Sequence, residues 1–268
     1  MKLNFIHNFF YAPSAPVSTV WGDGCMTLEI AVFNIRSALL AAKAGADRIE
    51  LCENPADGGT TPSYGTLKAV REKIAIPVFP IIRVHGGDFF YNDDEFAVMQ
   101  KDVLMCKQLG FEGVVIGLLN KDGTVDTERT KRLVELAYPL EVTFHRAFDR
   151  AKDPPQSLEA IITCGCQRIL TSGQVPNAFD GKDLIRQLVE QAGKRIIIMP
   201  GSGVRSNNIK ALATYTGATE LHSSARKNIN SEMLFINEGM QEKLTNIIVD
   251  EDEVKKMKAA LSEAGTRR

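Results

Sequence analysis

Four times in this chain a helix-forming stretch stops at a glycine and a short apolar run follows within a few residues. The cases are AKAGADRIEL at Gly45, KQLGFEGVVIG at Gly110, ITCGCQRIL at Gly165 and TYTGATELH at Gly217. Glycine suits the left-handed position just past a helix end because it has no Cβ to clash there. These glycines lie 65, 55 and 52 residues apart, room for two β-α units in each interval. Four more apolar runs complete the set: TLEIAV (27–32), IPVFPII (76–82), LEVTFH (140–145) and RIIIM (195–199). Eight strands alternating with helices predict an α/β fold, a single-domain (β/α)8 TIM barrel, which takes about 250 residues. Active or binding residues are then expected at the C-terminal ends of the strands.

The repeating pattern fills residues 26–268 and leaves no room for a second domain. Residues 1–25 stand outside it, as an N-terminal extension that is loosely ordered or precedes a true start at Met26; the apolar run there is too broken for a signal peptide. Helices are expected at about 34–44, 64–73, 93–109, 126–137, after Pro154-Pro155, at 181–192, 205–214 and over the closing DEDEVKKMKAALSEA. Two connections are long, 173–180 and 223–249, and long loops tend to be functional or to sit at interfaces. Within the second, Met233, Leu234, Phe235 and Ile236 form an apolar cluster suited to packing beneath the barrel mouth or, better, against a second subunit.

Composition removes several classes of partner. Net charge is −1 without a basic run, which argues against nucleic acid or an anionic membrane surface. No apolar stretch approaches the ~18 residues of a membrane span. Five cysteines, an odd number without a CxxC pair, suit a reduced cytoplasmic interior. The chain has no G-x-S-x-G elbow, P-loop or GxGxxG fingerprint, and no organic cofactor is indicated.

Buried parallel strands should read as almost continuous apolar runs, and several here do not. Alternation puts Glu29 on one face with Ala31, and Glu50 on one face with Arg48 and Cys52, while Leu28, Ile30, Ile49 and Leu51 face the helices. Two carboxylates are thus expected to enter the barrel from adjacent strands. Arg83 ends the third strand, His145 and Arg146 the fifth, Thr171 and Ser172 the sixth, and His222 the eighth. Unpaired charges in that interior cost several kcal/mol each, so they must meet one another, water or a ligand.

One reading is an internal network in which Arg83 or Arg146 holds the two carboxylates and His145 joins by hydrogen bonds. In the functional reading Glu29 or Glu50 is a general base, His145 an acid or electrophile, and Arg83 orients an anionic group. That set suits proton transfer, in an isomerase or lyase, on a small metabolite. Segments GSGV and HSSA follow the seventh and eighth strands, where barrels frequently bind phosphate. Gly201 and Gly203 allow close backbone approach to an anion, and Ser202, Ser223 and Ser224 add hydroxyls. With Thr171, Ser172 and His222 they are the candidate ligands for a phosphorylated or carboxylated group.

The blocks GADRIELCENPADGGTTPSYG (45–65), IIRVHGGDF (81–89), VTFHRAFD (142–149), RILTSG (168–173), GSGV (201–204) and ELHSSA (220–225) together strongly resemble the CutC copper-homeostasis family. The resemblance runs from the first strand to the eighth. It implies a cytoplasmic TIM barrel, a homodimer or homotetramer, with a role in copper homeostasis and Cu(I) as a possible bound ion. The family's proposed copper site pairs a cysteine near the end of the first strand with the one in the IELC block. Here Cys52 is present, but Ala31 stands at the other position. Cys25 lies six residues earlier, about 20 Å away along an extended strand and toward the opposite mouth. Cys106 falls in a helix, and Cys164 and Cys166 on a bottom-face turn. Cu(I) prefers two or three converging soft ligands, which leaves Cys52 with His145 or His222 to complete a mixed site. Copper binding, an enzyme acting on a small anion, and a barrel that only binds a partner therefore stand as alternatives.

Overall fold

Inward-facing and outward-facing residues of the strands carry opposite chemistry, and this decides how the barrel is filled. The computed structural model describes residues 26–242 and 244–265; the expectations for residues 1–25, Cys25 included, fall outside them. The strands are β1 Thr27–Val32, β2 Arg48–Leu51, β3 Val78–Pro80, β4 Gly113–Ile116, β5 Glu141–Phe144, β6 Arg168–Thr171, β7 Ile197–Pro200 and β8 Glu220–Ser223. Between and after them run α1 Ile35–Lys43, α2 Tyr64–Lys73, α3 Asp93–Leu109, α4 Thr127–Ala137, α5 Pro154–Cys164, α6 Lys182–Ala192, α7 Ile209–Thr216 and α8 Glu251–Gly265. The strands pair in parallel in the orders β3-β2-β1-β8 and β4-β5-β6-β7. A parallel bridge between Ile81 and Val115 joins β3 to β4, and β7 runs beside β8, so the two halves close into the expected (β/α)8 barrel. Leu28, Ile30, Ile49 and Leu51 are fully buried among the helix-facing core, as alternation requires. The four helix-ending glycines all adopt left-handed φ, from 77 to 94°.

Two expectations about elements need correction. Helix α7 begins at Ile209 rather than near 205, because the Arg205 N–H donates to Asn208 Oδ1 (2.9 Å) and closes a turn ahead of it. The long connection after β8 is not a loop throughout. It folds as an antiparallel ribbon, β9 Arg226–Asn230 and β10 Thr245–Val249, tied to the start of α1. Asn34 donates to the Ile247 carbonyl (3.0 Å), and the Val249 N–H to Ser37 Oγ (3.2 Å). At the ribbon's tip Met233, Leu234, Phe235 and Ile236 are all exposed, so they do not pack beneath the mouth of their own barrel.

Charge fills the floor of the barrel. Arg48 donates through Nε to Glu29 (2.5 Å) and through Nη2 to Glu220 (2.5 Å), with all three residues buried. Arg168 donates to the same Glu220 carboxylate (3.1 Å) and to Glu141 (2.7 Å). Both guanidinium groups pack on the Phe79 ring, 5.0 and 5.3 Å from its centroid. Gly113 makes this possible, since a Cβ there would stand 2.5 Å from that ring. A network thus exists, but not the expected one: Arg48 and Arg168 are its cations rather than Arg83 or Arg146, Glu220 and Glu141 join Glu29 in it, and neither Glu50 nor His145 takes part. Strand register is the reason: Glu29 sits opposite Arg48 on one side and His222 on the other, while Arg83 and Arg146 lie beyond the strand ends.

Removing one partner of a buried ion pair leaves an uncompensated charge, at a cost of roughly 3–5 kcal/mol. Arg48→Met should therefore destabilise the fold by about that amount, read as a lower urea midpoint; an unchanged midpoint would mean the floor cluster contributes no net stability.

Candidate active site at the barrel mouth

Above this floor the C-terminal strand ends surround a cavity of about 750 Å³. Its lining includes Glu50, Arg83, His145, Arg146, Ser202, Gly203, His222, Ser223 and Ser224, so most of the sequence candidates meet at one place. Glu29 lies deeper and is fully buried. Burial opposes its ionisation, but the Arg48 charge and the His222 hydrogen bond overcome that and hold its carboxyl at about 2. Glu29 is therefore an anchor rather than a base.

His222 stands between two carboxylates. Its Nδ1 bonds Glu29 Oε1 at 2.8 Å, and its Nε2 lies 3.7 Å from Glu50 Oε2. Burial works against the imidazolium, yet the Glu29 hydrogen bond and the Glu50 and Glu29 charges raise its pKa. With Glu29 ionised, Nδ1 is the donor. Glu50 shows the opposite balance: burial dominates, the Glu29 charge adds to it, and the carboxyl rises to about 7 in spite of His222. A carboxyl poised there is able to accept and return a proton near neutrality.

His145 is buried at the end of β5, against a slot that Gly117 keeps open; a Cβ on Gly117 would collide with the imidazole. Nδ1 accepts the Ala147 N–H (3.1 Å), so the neutral ring carries its proton on Nε2. Burial first, then the Arg83 and Arg146 charges, push its pKa down to about 3. Nε2 has no hydrogen-bond partner among the described residues. Of the two expected roles, electrophile fits this state and acid does not.

The remaining candidates divide. Arg83 takes up its fork on backbone carbonyls, Nη1 to Asp57 (2.6 Å) and Gly59 (3.0 Å) and Nη2 to Gly87 (3.2 Å), so it clamps the loops after β2 and β3. Arg146 is held by Asp149 (2.7 Å) and Ser172 Oγ (2.8 Å). Asp149 also receives the Thr171 hydroxyl (2.5 Å) and the Ser172 N–H (3.0 Å), so Thr171 and Ser172 serve that carboxylate and not an incoming anion. Ser202 and Ser223 hydroxyls donate to the Pro176 (2.6 Å) and Val204 (2.7 Å) carbonyls. What the β7 turn offers an anion is backbone: Ser202 and Gly203 have φ of 84 and 69°, and the N–H groups of Ser202, Gly203 and Val204 reach no acceptor among the described residues. Ser224 lines the cavity beside them, with Arg205 and Arg226.

Sequence reading missed Asp149, Arg205 and Arg226. Asp149 had a signal, since Arg146 and Asp149 are three apart on one turn; the two arginines had none beyond following the β7 and β8 segments.

Cu(I) fits these residues poorly. Cys52 is buried in an apolar cluster with Phe79, Ile81 and Val115, and burial followed by the Glu50 and Glu29 charges pushes its thiol well above its ordinary pKa. No group of three or more His, Cys, Asp or Glu suited to a metal occurs among the described residues. Cys106, Cys164 and Cys166 are buried elsewhere, and Met199 Sδ faces Arg48 (3.4 Å).

A family model described as the CutC family matches residues 26–227. The chain belongs to the CutC family. A relative from Chromobacterium violaceum, named as a family protein CutC, is 50% identical over 208 residues, covering 78% of this chain and 84% of its own. The human copper homeostasis protein cutC homolog is 46% identical over 210 residues, or 78% of this chain and 77% of its own. The solved structure of CutC from Streptococcus agalactiae superposes with a TM-score of 0.71 at 34% identity, over 74% of this chain and 98% of that one.

Because the fold raises the pKa of Glu50 from 4.5 to about 7, the protonated form contributes stability that is intact below about pH 4.5 and lost as pH rises through about 7. Glu50→Gln keeps a neutral group throughout. Its thermal stability relative to the parent protein should therefore climb between about pH 5 and about pH 8. A difference that stays flat across that range would show Glu50 to titrate normally.

Proposed function

We propose that this chain serves copper homeostasis, the process for which its relatives are named, as an enzyme at the barrel mouth rather than as a holder of the metal. The observation that carries this reading is one cavity lined by both Glu50, raised to about 7, and His145, neutral with an unpartnered Nε2–H. The substrate class is a small phosphorylated or carboxylated metabolite with a carbonyl group, its anionic end against the backbone N–H groups of residues 202–204. Glu50 removes a proton from the carbon beside the carbonyl. The His145 Nε2–H donates to the oxyanion that develops and keeps its proton, as a low-pKa imidazole must. His222, held by Glu29 and 3.7 Å from Glu50, balances the charge of the base, and Glu50 itself returns the proton. An isomerase or a lyase would use the same first step.

A cytoplasmic setting suits the four buried free thiols, and no helix among the described residues is long and apolar enough to cross a membrane. The exposed tip at Met233–Ile236 supports a homodimer or homotetramer; a purely monomeric sedimentation profile would remove that part.

The test follows deuterium uptake from solvent, by NMR, into a panel of phosphorylated and carboxylated ketones and aldehydes. Exchange should occur with at least one and fall by about a hundredfold or more in Glu50→Gln and in His145→Asn. No exchange across the panel, or equal exchange in the variants, would defeat the reading. In anaerobic Cu(I) titration against a competing chelator, binding should be weak and unaltered by Cys52→Ser. Tight stoichiometric binding lost in that variant would restore the metal-holding role.

A further inference from the structure

Arg83, Arg150, Arg205 and Arg226 all line the mouth cavity, and none has a carboxylate within ion-pair distance among the described residues. Every other described arginine except Arg132 is ion-paired. Unpaired arginines are thus concentrated at one place. They also fall into two pairs. Arg83 and Arg150 both pack on Phe89, 4.8 and 5.3 Å from its centroid, and both donate to the Gly87 carbonyl, at 3.2 and 3.0 Å. Arg205 donates to the Arg226 carbonyl (3.1 Å) and follows the turn whose Ser202, Gly203 and Val204 N–H groups lack acceptors.

The first pair sits over the loop after β3, the second over the β7–β8 side. In a closed ring of eight strands β3 and β7 are four places apart, which is directly across. Glu50 on β2, His145 after β5 and His222 on β8 are distributed around the ring between them. No acidic group of the lining forms an ion pair with these four arginines, and Glu50 lies beside His222 (3.7 Å). Asp149 is held by Arg146, Thr171 and Ser172, and Asp57 accepts from Asn54 (2.5 Å).

The geometry points to a substrate with two anionic groups, one at each end, and its reacting carbon held between them. Arg150 and the β7 turn with Arg226 are the two points of contact; Arg83, whose Nη1 and Nη2 donate to carbonyls, contributes charge. An anion at one end only would leave the other arginine pair without its counter-charge, which favours molecules that satisfy both. A cavity of about 750 Å³ is of the size that encloses small metabolites. This inference rests on the mouth being a metabolite site and not on the proton transfer proposed for it.

Matched probes decide it by calorimetric titration: phosphoglycerate against glycerol phosphate, and phosphoerythronate against erythritol phosphate, each pair differing by one terminal carboxylate. The two-ended member of at least one pair should bind about ten- to a hundredfold more tightly. Arg150→Ala and Arg226→Ala, both at exposed side chains, should each erase most of that preference, while Glu50→Gln should keep it. Equal binding within both pairs, no binding by any probe, or a preference that survives either arginine substitution would overturn the inference. If the preference holds and no deuterium exchange is found, the proton-transfer reading falls alone. If exchange occurs without the preference, the two-ended substrate falls alone.

Discussion

The guanidinium of Arg48 is the fixed point from which the rest of the barrel interior follows. Rooted in β2, it grips carboxylates from β1 and β8, and Arg168 continues the chain of contacts through Glu220 to Glu141 on β5. The reach from β6 to β8 spans β7, where no registered ladder joins β7 to β8. Side-chain charge therefore ties together a part of the ring that backbone hydrogen bonds leave open. Buried ion pairs are often no better for stability than apolar packing of the same volume. Their effect here extends to chemistry. Arg48 keeps Glu29 ionised, ionised Glu29 holds His222 and helps to protonate it, and the same negative charge helps to lift Glu50 toward neutrality.

That chain of influence separates two carboxylates that look alike in sequence. Glu29 and Glu50 both point inward from adjacent strands, yet one is locked as an anion and the other is poised to exchange a proton. Environment assigns the roles, through depth and through which cation lies within reach. Cys52 belongs to the same pattern. The negative field that suits Glu50 as a base works against a thiolate one alternation away, and soft-metal binding needs the thiolate. In this member of a family named for copper homeostasis, arginines without ion-pair partners line the mouth, and the Cys52 thiol beside it is buried and hard to ionise.

Much of this was legible in the sequence for reasons that are local. The glycine-ended helices gave away the alternation, and period-two patterning turned Glu29, Glu50 and Arg48 inward before any contact was known. What stayed hidden depends on relations around the ring. Nothing near Arg168 indicates that it meets Glu220, fifty-two positions later and two strands away. Arg83 ends a strand as a ligand-binding arginine would, but the carbonyls of neighbouring loops take its Nη1 and Nη2. Thr171 and Ser172 are drawn to Asp149, since a buried carboxylate needs its full set of donors. Arg205 and Arg226 were missed because their distinguishing property is the absence of an acidic neighbour in space, which no sequence spacing encodes. The ribbon of β9 and β10 escaped notice because its strands are short and mostly exposed, without the alternation that marks a half-buried strand.

Phe79, clasped between Arg48 and Arg168, makes the floor of the barrel solid. The mouth is consequently a blind well with a single doorway. A ligand bound there would have to leave through the opening by which it arrived, beneath the same four arginines. For the proposed enzyme, turnover would be a matter of exchange at one threshold, so that an anionic product lingering there would also be an obstacle to the next molecule.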